Sequence, residues 1–226
     1  MYKKCFNFFL YNFYKKKNYF FLNGLQRTKT NYISKVLKRN KLYNLSDFFL
    51  DRHKPGHKHF RIYNDKNYII TDDYKNTIII ETIEKYNSIL KIKHDTKHLV
   101  IFREPSRWLQ SIYNWALTNG WHKETNSYND DIIISLLKEY FEYYLKFKTL
   151  ENKNIYFLNS DSFEEEIDEL SVFFEKKIFF YEEKKYLSPK YKYKKKINSK
   201  KLVNDFLKNN TKYIDFYNFI FKENKL

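Results

Sequence analysis

Cysteine, glycine, proline and alanine are nearly missing from this chain of 226 residues. The single cysteine, Cys5, excludes an internal disulfide framework and a cysteine-based zinc site. It suits a reducing compartment, so a cytoplasmic location is expected. Long apolar runs are missing too. The stretch Cys5–Tyr14 is interrupted by Asn7 and Asn12 and is too short to span a bilayer. No small-residue cleavage site follows it, so it is a poor signal peptide. A soluble protein without a membrane span is expected. There are only 3 Gly and 3 Pro, and Ala116 is the one alanine.

Aromatic residues fill the gap, at 21% of the chain with 22 Tyr and 22 Phe. A hydrophobic fraction of 42% in 226 residues supports one sizeable domain with a real core. The net charge is +16. That charge fits a polyanionic partner such as nucleic acid, an acidic glycan or a membrane surface. It also fits lysine drift in an AT-rich coding sequence, because Lys, Asn, Ile, Tyr and Phe all have AT-rich codons. Charge alone leaves both readings open.

The chain alternates strand-like and helix-like segments. Tyr19–Asn23 reads as a buried strand, and Thr30 to Arg39 as a helix with Ile33, Val36 and Leu37 on one face. Residues 40–56 read as irregular, with Pro55-Gly56 as a turn. A short strand is predicted from His57 to Tyr63 and a helix from Ile78 to Ile92. His98–Phe102 is a second buried strand, followed by a helix from about Ser106 to Thr118 that Pro105 opens. Asp131–Leu150 reads as a long amphipathic helix, Asn154–Leu158 as a strand and Phe163–Phe174 as a helix. The segment 184–226 is strongly basic up to Lys201, then amphipathic. Such alternation implies an α/β fold: a parallel sheet with helices on both faces and ligands at the carboxyl ends of the strands.

The first strand ends at Gly24, and a turn through Gln26-Arg27-Thr28-Lys29-Thr30 leads into the helix. A strand–turn–helix of this kind aims backbone N–H groups and the positive end of a helix at one point. Arg27 and Lys29 add charge, and Thr28 and Thr30 add hydroxyls. The site suits a multiply charged anion. It is not a Walker A loop, which needs a second glycine just before Lys-Thr. At the end of the second strand stands Arg103, with Ser111 eight residues on in the next helix. A guanidinium and a hydroxyl so placed can grip a second phosphate, provided the two strands are neighbours.

Together these motifs resemble the sulfotransferases that use 3′-phosphoadenosine 5′-phosphosulfate (PAPS). Their first loop runs Pro-Arg/Lys-Ser-Gly-Thr-Thr-Trp after a strand; this chain has Gln26-Arg27-Thr28-Lys29-Thr30-Asn31-Tyr32. Their second motif is a strand, Arg-Asp/Asn-Pro, and a serine eight residues after the arginine. This chain has Val100-Ile101-Phe102-Arg103-Glu104-Pro105 and then Ser111. The resemblance covers about residues 19–175. It implies a three-layer, P-loop-like α/β fold with a central parallel sheet flanked by helices, over residues 1–226 as a single domain.

The resemblance also implies roles. Arg27 would contact the sulfuryl group, with Lys29 beside it offsetting charge. Gly24 would open the cradle, and Thr28, Thr30 and Asn31 would hold the 5′-phosphate. Tyr32, where the family has Trp, would stack on the adenine. Arg103 and Ser111 would hold the 3′-phosphate. The acceptor would be a hydroxyl, expected on a carbohydrate, and the product nucleotide would be 3′,5′-adenosine bisphosphate. Lys29 stands where the family has the loop glycine, a position of close approach or positive φ.

The acceptor must lose a proton, so a base is needed. His53, His57 and His59 form the one dense histidine cluster, and Lys58-His59 matches a Lys-His setting of the family. His59 is the first candidate and His57 the second. The i, i+4 pair His53 and His57 would suit a metal on a helix, but Pro55-Gly56 breaks that helix, and no metal is expected. Two alternatives stay open. A P-loop nucleotide or metabolite kinase would need the missing Walker glycine and an aspartate for magnesium, for which Asp161 is the candidate. A non-catalytic basic protein would bind nucleic acid or an anionic glycan through runs such as Lys184–Lys201.

Overall fold

The computed structural model describes residues 18–46, 97–119, 130–148, 154–181 and 196–222. Among these residues four parallel strands form one sheet: β1 (Asn18–Gly24), β2 (Leu42–Asn44), β3 (Lys97–Phe102) and β4 (Ile155–Asn159), in the order β2-β1-β3-β4. The helices are α1 (Thr30–Arg39), α2 (Pro105–Asn119), α3 (Asp130–Lys148), α4 (Ile167–Phe174), α5 (Ser199–Asn209) and α6 (Ile214–Lys222). A single 3-10 turn, Thr211–Tyr213, joins the last two. Helices lie on both faces, so this is the three-layer α/β arrangement with a central parallel sheet.

The period-two pattern of the strands sorts the core into two halves. On β3, Leu99 and Ile101 face one layer while Val100 and Phe102 face the other. The first layer also takes Phe20 and Leu22 of β1, the apolar stripe Ile33, Val36 and Leu37 of α1, and Leu170 and Phe174 of α4. The second is larger and packs α2, α3, α5 and α6 together. There the rings of Phe141, Phe206 and Tyr213 form a triangle, with centroids 5.7, 5.2 and 5.6 Å apart. The amphipathic stretch beyond the basic run is thus built into this layer through Val203, Phe206, Tyr213, Phe216 and Ile220.

Two segments differ from the sequence reading. Residues 42–44, read as irregular, form strand β2, at one end of the described sheet. Its ladder is three residues long, and side chains then continue it. Asn44 Oδ1 accepts from the N–H of Leu22 at 3.1 Å, and Ser46 Oγ donates to the Leu22 carbonyl at 3.1 Å. No apolar alternation is needed for that, so none is visible. The helix expected from Phe163 starts only at Ile167. Ahead of it, the N–H groups of Glu165 and Glu166 donate to the Ser162 carbonyl at 2.9 and 3.2 Å. The Ser162 hydroxyl donates to Glu166 Oε1 at 2.6 Å. Local bonding of this kind holds the chain in turns before the helix begins. The predicted strand at 57–63, the helix at 78–92 and the run at 5–14 lie outside the described residues.

The register puts the carboxyl ends of three strands side by side. Gly24 pairs with Ile101, and Phe102 with Asn159. The loops leaving β1, β3 and β4 therefore meet at one edge, where a parallel sheet presents its ligand crevice.

Candidate functional site at the carboxyl edge of the sheet

Gly24 makes the site's tightest backbone approach. A Cβ there would lie 2.7 Å from the Ile101 carbonyl oxygen, so no larger residue fits unless the strands part. The loop beyond it takes left-handed backbone twice, at Arg27 (φ 75°) and Lys29 (φ 61°). Lys29 is thus at positive φ in the position where a loop glycine was the reference. Lys29 is also the N-cap of α1, and its side chain makes no capping bond. The first bonds into the helix are Tyr32 N–H and Ile33 N–H to the Lys29 carbonyl, at 3.0 and 3.1 Å. The N–H groups of Thr30 and Asn31 precede them and point out of the helix end. No acidic residue stands in this first turn. A basic, uncapped N-terminus opposes the helix dipole unless an anion completes it.

Buried aromatics hold the loop from beneath. Tyr143 Oη accepts from the Gly24 N–H at 3.0 Å, and Tyr144 Oη accepts from the Leu25 N–H at 3.2 Å. Tyr144 also donates to the Ile101 carbonyl at 2.9 Å, and Tyr140 donates to the Arg103 carbonyl. Trp108 Nε1 donates to the Gln26 carbonyl at 2.9 Å. One face of α3 therefore fixes both the first loop and the end of β3. Burial pushes all three phenols above the ordinary tyrosine range, so they stay neutral.

The two sequence motifs meet. Arg27 Nε donates to Ser111 Oγ at 3.1 Å, across 84 residues of chain. Arg103 leaves β3 on the same edge. Its Nε lies 3.2 and 3.3 Å from the two carboxylate oxygens of Asp161, the second residue past β4. Lys29 Nζ lies 3.1 Å from Asp161 Oδ1 and donates to the Ser160 carbonyl at 3.0 Å. Arg107 Nη1 completes the group, 3.5 Å from Asp161 Oδ2. Burial pulls the Asp161 carboxyl up, but Arg103, Lys29 and Arg107 outweigh it and hold it below the usual carboxylate value. Glu104 is occupied elsewhere. It caps α2, accepting from the N–H groups of Ser106 and Arg107 at 3.0 and 2.7 Å.

The remaining sequence candidates are placed as follows. Thr28 is buried and donates its hydroxyl to the Leu25 carbonyl at 2.7 Å. Thr30 is buried beside Gly24, and Asn31 is exposed. Tyr32 packs edge-on against Phe163 at 6.0 Å. His59 and His57 lie outside the described residues. His98 sits in β3 at the opposite end from Arg103, fully buried and stacked on Phe21 at 5.1 Å. Among the described residues no group of three His, Cys, Asp or Glu could hold a metal.

Sequence reasoning missed Arg107 and the roles of Asp161 and of Tyr140, Tyr143 and Tyr144. Two signals were present. The tyrosines fall at i, i+3 and i+4, one stripe of a helix. Arg107 stands in the first turn of α2, where a cation opposes the dipole just as Lys29 does in α1.

Among the described residues no helix is long and apolar enough to cross a membrane. Comparison with protein-family models, with curated proteins and with solved structures finds no match to this chain.

Proposed function

We propose that this chain is a sulfotransferase that moves a sulfuryl group from PAPS to a hydroxyl acceptor, with a carbohydrate as the acceptor class. One observation carries the reading: Arg27 of the first loop bonds Ser111 of the second motif, with Arg103 at the adjoining strand end. Two phosphate-gripping elements at one sheet edge suit a nucleotide phosphorylated at two separate positions better than a simple triphosphate.

The donor set fits such a ligand. The uncapped α1 terminus offers the N–H groups of Thr30 and Asn31. Arg27 adds a cation beside them, and Arg103 with the Ser111 hydroxyl adds a second grip. Residues Arg27 to Asn31 would hold the 5′-phosphosulfate, and Arg103 and Ser111 the 3′-phosphate. Bound there, PAPS would supply the sulfuryl group and leave as 3′,5′-adenosine bisphosphate. Arg27, half-buried and steadied by Ser111, is placed to offset charge on the transferring group. The Tyr143 and Tyr144 hydroxyls keep the loop backbone in place, so little ordering is left for the ligand to impose.

The acceptor proton needs a base. Asp161 is held ionised by three cations and Glu104 is committed to capping α2, which makes both poor proton acceptors. The role is assigned to His59, with His57 as the second candidate, on the Lys58-His59 setting that the resemblance carries. The His59→Ala variant should lose turnover and keep nucleotide affinity; retained turnover would move the base elsewhere.

Calorimetric titration tests the donor. The chain should prefer 3′,5′-adenosine bisphosphate to ATP, and a preference for ATP, or no binding, would end the proposal. In the Arg103→Ala variant the bisphosphate should weaken by roughly 10- to 150-fold, the worth of one charge-assisted contact. Adenosine 5′-phosphate should weaken far less. Equal losses would remove Arg103 from the 3′-phosphate.

A further inference from the structure

Lys29, Arg103 and Arg107 come from three different places: the first loop, the end of β3 and the first turn of α2. All three turn toward a single carboxylate. Asp161 takes Lys29 at 3.1 Å, Arg103 at 3.2 Å and Arg107 at 3.5 Å. Its backbone is pinned as well, with its N–H donating to Asn159 Oδ1 at 3.0 Å. The Asp161 side chain is 10% exposed, whereas Lys29 and Arg107 are 41% and 64% exposed. The carboxylate is therefore the fixed partner, and two of its three cations can be drawn away.

Arg27 stands in the same loop, two residues before Lys29. Four cations thus meet at this edge, and Asp161 is the acidic side chain that three of them touch. Among the described residues, the nearby carboxylate of Glu104 bonds the α2 terminus. Lys29, Arg103 and Arg107 would lose, without Asp161, the carboxylate that all three touch, which is costly in a half-buried setting. With it, part of that positive charge is offset, and an entering anion meets a negative charge already in place.

We propose that Asp161 is a built-in counter-anion: it holds Lys29, Arg103 and Arg107 in the empty protein and competes for them with an entering dianionic phosphate or sulfate ester. The inference takes from the preceding section that this edge binds anions, and does not depend on the nucleotide. Its consequence is a site that stays folded when empty and releases its anion readily. The carboxylate lowers the free energy of the empty state and raises that of the filled one.

The Asp161→Asn variant tests this with two probes, inorganic phosphate and 3′,5′-adenosine bisphosphate. The empty variant should melt at a lower temperature than the parent. Inorganic phosphate should nevertheless bind roughly tenfold more tightly, the effect of removing one unit charge a few ångströms away at a half-exposed site. The gain should shrink in high salt. A residue that merely positions the cations would lower the melting temperature and weaken phosphate binding, so unchanged or weaker binding overturns the proposal.

Should the single variant fold poorly, the double variant Asp161→Asn with Arg107→Gln removes one charge of each sign. It should bind phosphate more tightly than Arg107→Gln alone, and equal or weaker binding again overturns the proposal. The two readings separate cleanly. If phosphate tightens while neither protein binds the bisphosphate, the counter-anion stands and the nucleotide reading falls. If the parent binds the bisphosphate and the variant binds neither probe more tightly, the nucleotide reading stands and the counter-anion falls.

Discussion

Lys29 carries two opposed effects at one position. Its backbone is left-handed, at φ 61°, which costs a residue with a Cβ about 1 kcal/mol or more and costs glycine little. Its ammonium meanwhile reaches Asp161 and the Ser160 carbonyl. Comparing Lys29→Gly with Lys29→Ala isolates the first effect, since neither variant has the ammonium. The glycine variant should be the more stable by about 1 kcal/mol in urea unfolding. Equal stabilities would mean that the loop relaxes out of the left-handed region. The strain is concentrated where the ligand is expected, the pattern of a loop shaped for binding more than for stability.

At the scale of elements, α3 decides the geometry of the site. Tyr144 both accepts from Leu25 and donates to the Ile101 carbonyl, so it joins the loop after β1 to the body of β3. The Tyr144→Phe variant keeps the ring and removes both bonds. A buried N–H and a buried carbonyl then lose a partner, at about 1–3 kcal/mol each before relaxation. Thermal unfolding should detect the loss, and affinity for 3′,5′-adenosine bisphosphate should fall with it. Tyr143→Phe removes one bond and should cost less.

How far these elements could be read in the sequence followed from pattern length. β3, α1, α2 and α3 are long or strongly periodic, and the segments read for them agree with the structure to within a residue or two. The three residues of β2 carried no period to read. The start of α4 was misplaced because Ser162 and Glu166 bond locally before the helix begins. That Arg27 and Ser111 would meet beside Arg103 was legible because strand ends and helix starts fix where side chains go. Asp161 was not, since a carboxylate in a turn carries no mark of the three cations that fold toward it. Nor could the tyrosine stripe be told from plain core, because only the fold reveals which carbonyl or N–H lies opposite each hydroxyl.

For the whole molecule, His98 is a fully buried group that couples stability to pH. It sits on β3 against Phe21 of β1, and neither ring nitrogen has a hydrogen-bond partner among the described residues. Burial pushes its pKa down from 6.5 to about 4. The folded protein therefore keeps the ring neutral while the unfolded chain takes up a proton as pH falls below 6.5. Stability is complete above that value and drops between about pH 6.5 and 4, by about 3 kcal/mol over the window. Urea unfolding across this range should give that slope, and His98→Leu should flatten it. A slope unchanged in the variant would assign the acid sensitivity to other groups.

The phenol bonds of α3 also divide the loop in time. The amide hydrogens of Gly24 and Leu25 are each donated to a buried tyrosine oxygen, so solvent reaches them only when α3 lifts from the sheet. Those of Thr30 and Asn31, a few residues on, precede the first helical bond and need no such event. Hydrogen–deuterium exchange along the eight residues from Gly24 to Asn31 should thus pass from the slowest class in the protein to one of the fastest. A ligand that seats on the helix end would slow the second group and leave the first as it was. The loop's amides report occupancy at one end and global unfolding at the other.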